Sequence, residues 1–411
     1  MWLFDRAFKK LIRKGELQVT DYKGRVYRYG EPVPGRELVA VRFTDRTTPE
    51  RIVSAPSLGA GEAYMDGRLI MERGDIHALI DLVTWNNRWE KRGDRAKLER
   101  KVRMPGHDLG GWLRTWNYER RARRNVAHHY DLSARLYDLF LDVDRQYSCA
   151  YFTDPGNSLE QAQIDKKAHI AAKLKLDRPG LRVLEIGCGW GGLALYIHEK
   201  TGAEVLGITL SEEQLIVARQ RAEAAGVADK VKFELIDYRA MTGKYDRIVS
   251  VGMFEHVGPG HFRQFFARCR KLLADDGVML LHTIGRMGAR RPTDPWTVKY
   301  IFPGGYIPTL SEIAEATEAV RLITTDVETL RHHYGHTLER WLRRTQAAKA
   351  EIEAMYDPRF YRMWEFYLAG SMTGFFNGQM VNYQLQYVRD RTALPITRDY
   401  IAEAETALRG E

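Results

Sequence analysis

Residues 184–192 read Leu184-Glu185-Ile186-Gly187-Cys188-Gly189-Trp190-Gly191-Gly192, an apolar segment that runs into a cluster of glycines. The residues from Arg182 to Ile186 have the length and composition of a buried strand, and a helical pattern starts at about Leu193. Glycines at such a strand-to-helix turn leave bare backbone that a ligand can approach closely. The stretch therefore predicts a ligand-binding loop in an α/β domain.

Strand and helix patterns alternate along the chain from about Asp177. After the first strand, further strands are predicted at Val205 to Thr209, Val231 to Ile236, Arg247 to Val251, Val278 to Thr283 and, after two helical segments, Met380 to Tyr387. Helices of suitable length between the strands predict a parallel sheet with right-handed crossovers.

The chain of 411 residues is long enough for about two domains. Short strand-like stretches between residues 15 and 45 and a helix from Ile76 to Trp85 predict a small α+β unit at the N-terminus. A run dense in Arg and Lys follows, from Arg88 to Arg124. We predict an N-terminal domain at 1–90, a basic linker at 91–124, a catalytic domain at 125–390 and a polar C-terminal tail at 391–411.

The net charge is +9, and the sequence pI is near 9.3. Such a charge favours a polyanionic partner, either nucleic acid or anionic lipid headgroups, and by itself leaves both open. No run of about 18 apolar residues and no signal peptide is found, so we expect a chain that neither spans a membrane nor is exported.

The first residues combine apolar and basic side chains at helical spacing: Trp2, Leu3, Phe4, Phe8, Leu11 and Ile12 alternate with Arg6, Lys9, Lys10, Arg13 and Lys14. A helix lying in a lipid headgroup layer has this pattern. An amphipathic helix docked on its own domain has the same pattern, and both interpretations stay open.

Cysteine and histidine usage indicates neither disulfides nor a metal. The three cysteines, Cys149, Cys188 and Cys269, lack paired ligand spacing and fit a reducing cytosol, with Cys188 and Cys269 as packing residues. The pairs His128-His129 and His332-His333 would point to opposite sides of an extended chain, so no metal is expected.

The glycine cluster satisfies the spacing of a dinucleotide site, but the second strand ends in Thr209-Leu210-Ser211 without the acid that would hold a ribose. An acid before the glycines, Glu185, and another after a later strand, Asp237, are typical of methyltransferases that bind S-adenosylmethionine (SAM). Ser211 and Gln214 also match a capping box. The predicted cofactor-binding residues are Tyr147, Ser148, Glu185, Gly187, Gly189, Trp190, Gly191, Thr209, Leu210, Ser211, Gln214, Asp237 and Tyr238.

Several local motifs together resemble the cyclopropane fatty acid synthase family, over about Arg36 to Arg389. The motifs are Asn125-Val126-Ala127-His128-His129-Tyr130-Asp131, Tyr147-Ser148-Cys149-Ala150-Tyr151-Phe152, Gly187-Cys188-Gly189-Trp190-Gly191, Phe254-Glu255-His256-Val257-Gly258, Leu281-His282-Thr283-Ile284-Gly285 and His333-Tyr334-Gly335-His336-Thr337-Leu338. The stretch from Gly61 to Gly67 also looks like the lipid-binding domain of members that act on phospholipids. The resemblance implies a class I methyltransferase fold, with a seven-stranded, mostly parallel sheet, preceded by a lipid-binding domain.

The resemblance also implies a reaction: SAM methylates the double bond of an unsaturated phospholipid acyl chain, and loss of a proton closes a cyclopropane ring. A bicarbonate ion would be the base, held by Glu255, His282 and Tyr334 and by backbone amides near Cys149 and Val251. Aromatic faces such as Tyr130, Tyr151 and Phe254 would stabilise the carbocation. We further expect peripheral binding to an anionic membrane from the cytoplasmic side, no nucleic acid partner and, from relatives, a homodimer.

Two departures from the family pattern bear on the product. Tyr367-Leu368-Ala369-Gly370-Ser371 carries Ser371 in place of a frequent cysteine, and Phe376 follows Phe375 where arginine is usual. Loss of a different proton would give a methylene-branched chain, or a methyl-branched one after reduction. A methyltransferase acting on small molecules or nucleic acid, and a non-catalytic lipid carrier with a degenerate cofactor fold, are the other functions weighed.

Overall fold

The structure is a computed structural model and describes residues 1–91 and 133–410. Elements are numbered here in chain order within these residues. The first range contains α1 (Trp2–Leu11), β1 (Leu17–Thr20), β2 (Val26–Tyr29), β3 (Val39–Phe43), α2 (Thr48–Ser54), α3 (Pro56–Met65), β4 (Leu69–Arg73) and α4 (Ile76–Trp85).

The second range contains α5 (Ala134–Phe140), α6 (Leu159–Lys173), β5 (Arg182–Ile186), α7 (Gly192–Thr201), β6 (Glu204–Thr209), α8 (Glu212–Ala224), β7 (Val231–Leu235), β8 (Tyr245–Val251), α9 (Phe262–Leu272), β9 (Leu273–Arg286), α10 (Pro295–Tyr300), α11 (Leu310–Glu318), β10 (Ile323–Leu330), α12 (His333–Ala347), α13 (Lys349–Met355), α14 (Pro358–Phe376), β11 (Met380–Val388) and α15 (Asp399–Arg409). None of the described helices is long and apolar enough to cross a membrane.

The chain divides into two compact units that are discontinuous in sequence. Within the described residues, the first unit comprises residues 1–91, Thr293–Pro303 and Leu338–Gln379, and the second comprises residues 133–292, Gly304–Thr337 and 380–410. The division differs from the predicted ranges, because α10, most of α12, α13 and α14 belong with the N-terminal unit. Most of the predicted basic linker lies outside the described residues, and the predicted polar tail contains the helix α15.

The first unit is built on a four-stranded sheet with the order β2-β1-β3-β4. Helix α1 packs on this sheet through Phe4, which stacks on Phe8 with ring centroids 3.9 Å apart and meets Phe43 edge-on at 5.3 Å. Helix α14 also belongs to this unit, where the Tyr64 hydroxyl of α3 donates to the Glu365 carboxylate at 2.5 Å. The predicted helix from Ile76 to Trp85 is confirmed as α4, and Asp75 caps its first turn.

The second unit contains a seven-stranded sheet with the order β10-β11-β9-β8-β5-β6-β7. Strands β5 to β9 run parallel, and β11 and β10 close one edge in antiparallel pairing. Apolar cores cover both faces of the sheet. The predicted Rossmann-like, mostly parallel fold is confirmed. The parallel strands also place their carboxyl ends at one edge, where ligands bind in such folds.

Candidate active site

A cavity of about 1180 Å³, counted with its open mouth, lies within the second unit at the carboxyl ends of β5, β6, β7 and β8. Eleven of the predicted cofactor-binding residues line it: Tyr147, Ser148, Glu185, Gly187, Gly189, Trp190, Thr209, Leu210, Gln214, Asp237 and Tyr238. Gly191 and Ser211 do not line the cavity. Most of the predicted cofactor-binding residues therefore lie around one cavity. The other two, Gly191 and Ser211, have structural roles.

The two exceptions shape the loops around the cavity. Gly191 has a φ of 83°, and a Cβ atom there would meet the Phe233 ring at 2.6 Å, so the glycine allows close packing beneath the loop. Ser211 caps α8 by accepting a hydrogen bond from the Gln214 backbone N–H at 3.3 Å. The reciprocal half of the predicted capping box is absent here, because the Gln214 side chain accepts instead from the Thr209 hydroxyl at 3.0 Å.

Glu185 is a buried carboxyl at the end of β5 and is 2% exposed. Its Oε2 atom has no hydrogen-bond partner among the described residues. Burial raises the pKa of Glu185 to about 8, although the charge of Lys166 and the backbone N–H of Ala194 act in the opposite direction. The cavity therefore presents a carboxyl group that is ready to ionise when a positive charge binds beside it.

Asp237 is already held by a neighbour that the sequence analysis did not single out. Arg239 donates to both carboxylate oxygens of Asp237 at 2.8 Å, and both residues line the cavity. These two hydrogen bonds from the Arg239 guanidinium fix the orientation of the Asp237 carboxylate, and each uses one lone pair of a carboxylate oxygen. Their only sequence signal was an arginine two residues after the acid.

The loop that carries Tyr147 and Ser148 is anchored by a buried lysine. Lys166 of α6, 1% exposed, donates to Gln146 Oε1 at 2.5 Å and to the Ser148 hydroxyl at 2.9 Å. Desolvation lowers the pKa of Lys166 to about 8, and the charge of Asp142 opposes this shift. Lys166 was missed because a lone lysine in a helix normally faces solvent.

Glu255 lies in a single turn of 3-10 helix after β8, close to the end of β9. Its Oε1 atom accepts from the Ile284 backbone N–H at 2.6 Å, whereas its buried Oε2 atom has no partner among the described residues. Burial raises the pKa of Glu255, opposed by the Ile284 N–H and the Thr283 hydroxyl. This arrangement leaves one carboxyl oxygen available to a ligand.

The His282 ring is enclosed by two amide side chains of β11. Its Nδ1 atom lies 3.1 Å from Gln384 Nε2, and its Nε2 atom lies 3.0 Å from Asn382 Nδ2. Burial and the charges of Lys166 and Lys173 hold the pKa of His282 well below its usual range, so the ring is neutral. In this arrangement His282 reaches an added anion only if Asn382 turns away.

The other residues of the predicted base site lie on neighbouring segments. Val251 ends β8 and pairs in parallel register with His282. Tyr334 is buried in the first turn of α12. The segment carrying Cys149 meets that same turn, because the Ala150 N–H donates to the Thr337 hydroxyl at 3.0 Å and the Phe152 N–H donates to His333 Nδ1 at 2.9 Å.

Buried thiols in this unit are inert. Burial raises the pKa of the Cys149 thiol well above its usual range, so it is not a nucleophile at neutral pH. Cys188 and Cys269 are buried within the two apolar cores, as predicted for packing residues. In the described part of the chain, no three His, Cys, Asp or Glu side chains come together as a metal site.

The predicted aromatic contacts to a carbocation need correction. Phe254 is fully buried among Phe262, Phe265 and Phe266, so its ring faces the core. The faces of Tyr151 are covered by stacking on His169 at 4.0 Å and on His333 at 4.9 Å. Tyr130 lies outside the described residues, as do His128 and His129.

Residues 117–385 match the protein family described as mycolic acid cyclopropane synthetase. The chain belongs to this family. It is 38% identical over 348 residues to the cyclopropane-fatty-acyl-phospholipid synthase of Escherichia coli strain K12, which covers 83% of this chain and 85% of that relative. It is 40% identical over 283 residues to the tuberculostearic acid methyltransferase of Mycobacterium tuberculosis, with 66% of each chain covered.

Solved structures of the family agree in fold. The mycolic acid cyclopropane synthase CmaA1 complexed with SAH and CTAB has a TM-score of 0.62 at 34% identity, covering 64% of this chain and 97% of that one. The cyclopropane synthase MmaA2 from Mycobacterium tuberculosis has a TM-score of 0.62 at 32% identity, with the same coverage. The protein is therefore a SAM-dependent methyltransferase, as the sequence motifs predicted.

Proposed function

We propose that the protein is a cyclopropane-fatty-acyl-phospholipid synthase, which adds the methyl carbon of SAM to the cis double bond of an unsaturated phospholipid acyl chain. The observation that carries the proposal is the buried Glu255 Oε2 atom, which has no hydrogen-bond partner among the described residues and belongs to the same unit as the cavity, although Glu255 does not itself line that cavity. The E. coli phospholipid synthase, similar along 83% of this chain, supports a phospholipid substrate. A methyltransferase for small polar substrates would not need a dry carboxyl there.

The residues fit the two groups that the reaction requires. Bound SAM supplies an electrophilic methyl group, and a bound bicarbonate ion supplies a base for the proton lost on ring closure. Burial raises the pKa of Glu255, and a hydroxyl donor bound beside Oε2 would offset this by favouring the ionised carboxylate, which would accept its hydrogen bond. Tyr334, the His282 ring and backbone amides near Cys149 and Val251 complete the proposed set.

The protein's own contribution is to exclude water and to supply charge at fixed positions. Glu255, His282 and Glu185 are all less than a tenth exposed, so each hydrogen bond they make is strong. The carbocation on the acyl chain would be quenched by water, and a dry site prevents this side reaction. The charge of Lys166 acts on both His282 and Cys149, so it adds a positive charge that favours an anion bound near these residues.

The related product, a methylene- or methyl-branched chain, is the second candidate. It is favoured by the 40% identity to the tuberculostearic acid methyltransferase and by Ser371 and Phe376, both on α14. The two products differ only in which proton leaves the cation. The non-catalytic lipid carrier is disfavoured by the buried carboxyls of Glu185, which lines the cavity, and of Glu255, which lies elsewhere in the same unit.

Mass spectrometry of acyl chains tests the proposal. Purified protein, SAM and vesicles of an unsaturated phospholipid are incubated, and ring and alkene isomers are separated by chromatography. A gain of one CH2 as a saturated ring is expected. The same gain with an alkene retained would replace the proposal with the branched-chain product, and no gain would revive the carrier.

The Glu255→Gln variant tests the base site. The amide cannot accept the charge-assisted hydrogen bond, so we expect kcat to fall by roughly 100-fold or more. The amide still fits the same space, so SAM affinity measured by calorimetry stays unchanged. A loss of SAM binding in this variant would contradict the assigned role of Glu255.

We also propose peripheral binding to an anionic membrane through the first unit. Helix α1 fits both interpretations of its sequence, since Phe4 and the residue after the helix, Ile12, are buried while Trp2 is 69% exposed and Leu3 is 52% exposed. Exposed Arg6, Lys9 and Lys10 flank this apolar pair. A cytoplasmic location and a homodimer stay predictions, and sedimentation velocity would check the dimer.

A further inference from the structure

Lys173 is a buried lysine in the second unit, away from the cofactor cavity. It ends α6, is 1% exposed, and donates to the Glu328 carboxylate and to Gln384 Oε1, the latter at 2.9 Å. The ammonium group only donates hydrogen bonds. The Gln384 atom that faces it must therefore be the amide oxygen, which fixes the orientation of the Gln384 side chain.

The fixed amide in turn determines the protonation of the His282 ring. With its oxygen on Lys173, Gln384 presents Nε2 to His282 Nδ1 at 3.1 Å. An amide nitrogen only donates, so Nδ1 must be the acceptor and carries no hydrogen. A neutral imidazole has one N–H, which therefore lies on Nε2.

The second amide has to be assigned accordingly. Asn382 Nδ2 is the atom that lies 3.0 Å from His282 Nε2, and donors against both ring nitrogens would require an imidazolate anion in the core. We therefore assign the Asn382 amide turned by a half-rotation, with its oxygen accepting from Nε2–H. Asn382 pairs in register with Ile284, whose backbone N–H holds Glu255, so the donor side of the ring faces the Glu255 end of β9.

We propose that Lys173 and Gln384 are positioning residues that hold His282 as the neutral Nε2–H tautomer, so that the ring donates a hydrogen bond to the anion of the base site once Asn382 turns away, and is not the base itself. The inference rests on the proposed function for its catalytic part. With the opposite tautomer, the Nε2 lone pair would face the anion and repel it. A tautomer held by a neighbouring side chain is a known requirement in other enzymes that use histidine.

The experiment uses the full-length protein with ¹⁵N-labelled histidine. The His282 ring resonances are identified by their loss in His282→Gln, and the expected pattern is a protonated Nε2 and an unprotonated Nδ1. In Gln384→Glu the new carboxylate accepts a hydrogen from Nδ1, so the pattern should reverse. In Lys173→Met the Gln384 amide is free to turn, so a mixture should appear.

The kinetic expectation is a fall in kcat of roughly 10- to 100-fold in both variants, with an unchanged KM for SAM. Lys175→Met is the matched control, because Lys175 lies two residues further on and contacts Ala393 and Asp177 instead of Gln384. Both the ring resonances and kcat should stay as in the unchanged protein. If Lys173→Met does not fold, Gln384→Glu alone tests the proposal. This substitution replaces one amide nitrogen with oxygen and keeps the shape of the side chain.

The outcomes separate this inference from the proposed function. An unaltered His282 pattern in folded Gln384→Glu and Lys173→Met would overturn the positioning role, whatever the rates. A reversed pattern with an unchanged kcat would uphold the positioning of the ring and overturn the proposed base site. A reversed pattern together with a lower kcat supports both.

Discussion

The buried Glu185 carboxyl predicts that cofactor binding is coupled to proton release. The carboxyl lines the cavity, and its pKa is raised to about 8 by burial, so it is mostly protonated at pH 7. SAM carries a net positive charge, and a cation beside the carboxyl favours its ionised form. Lys166 and Asp144 also face Glu185, and their opposing effects are already contained in the raised pKa. Binding of SAM should therefore expel a proton from this site.

Calorimetry in buffers of different ionisation enthalpy measures this proton. We expect release of up to about one proton per SAM near pH 7, and an affinity that rises with pH between about 6 and 8, since the bound state holds fewer protons. Glu185→Gln should lose both the release and the pH dependence, and bind SAM more weakly. Equal proton release in the variant would assign the proton to another group.

Sequence reasoning at this scale found residues whose type has a general chemical meaning. Gly187, Gly189 and Glu185 belong to a local pattern, and the structure places them around one cavity. Lys166, Gln384 and Asn382 carry no such signal, because their roles depend on partners more than 15 positions away. Phe254 shows the converse, since an aromatic beside a motif turned out to pack in the core.

Helix α15 is an element of the second unit and not a solvated tail. Its Glu405 carboxylate lies 3.0 Å from His169 Nδ1, and its Tyr400 hydroxyl accepts from Gln386 Nε2 at 2.7 Å. The Leu408 carbonyl accepts from the Tyr196 hydroxyl at 3.3 Å, and Ile401 is buried. Without the helix, His169, which is 4% exposed, would lose one of its two hydrogen-bond partners.

Deleting residues 399–411 should lower the free energy of unfolding by about 3 kcal/mol or more, since it uncovers apolar surface and leaves buried polar groups unpaired. Chemical denaturation, followed by circular dichroism, measures the change. Glu403→Ala is the control, because Glu403 is exposed and its loss should leave stability nearly unchanged. Equal stability of the deleted form would mean that α15 contributes little packing.

Strands and helices could be predicted from the sequence where the pattern of apolar residues matches the burial of those residues in the structure. The central parallel strands β5, β6 and β8 are apolar and buried, and their predicted positions match the structure within a few residues. Strand β10 was missed because Ile323–Leu330 is rich in Thr, Asp and Glu and lies at the edge of the sheet, where one side needs no apolar residues. Helix α15 was missed because its polar composition resembled a tail.

At the scale of the whole molecule, the division into two units does not follow the order of the chain, because each unit consists of segments that are separated in sequence. Residues 338–379 belong with the N-terminal unit, in which Tyr64 bonds Glu365 across 301 positions of sequence. Local periodicity describes a helix such as α14 but not which core it joins. A continuous catalytic domain was the simpler prediction, and only the three-dimensional contacts show that its helices are shared between units.

The net charge of +9 and the exposed face of α1 together predict how the protein meets a membrane. Lys9 and Lys10 should attract anionic headgroups, while Trp2 and Leu3 insert among them. Each basic residue near an anionic surface contributes about 1 kcal/mol, so losing both lysines costs about 30-fold in affinity; the Lys9→Glu and Lys10→Glu double variant, which also adds repulsion, should bind anionic vesicles at least about 30-fold more weakly at physiological salt, as measured by cosedimentation.

Two comparisons separate this surface from a general effect of charge. The Lys232→Glu and Arg263→Glu double variant makes the same change of charge on exposed positions of the second unit, and its binding should fall much less. Trp2→Ser with Leu3→Ser should weaken binding at every salt concentration, because apolar insertion is not screened by ions. If the two charge variants bind equally weakly, the net charge and not α1 governs membrane binding, and the lipid-facing role of the first unit would have to be assigned to another surface.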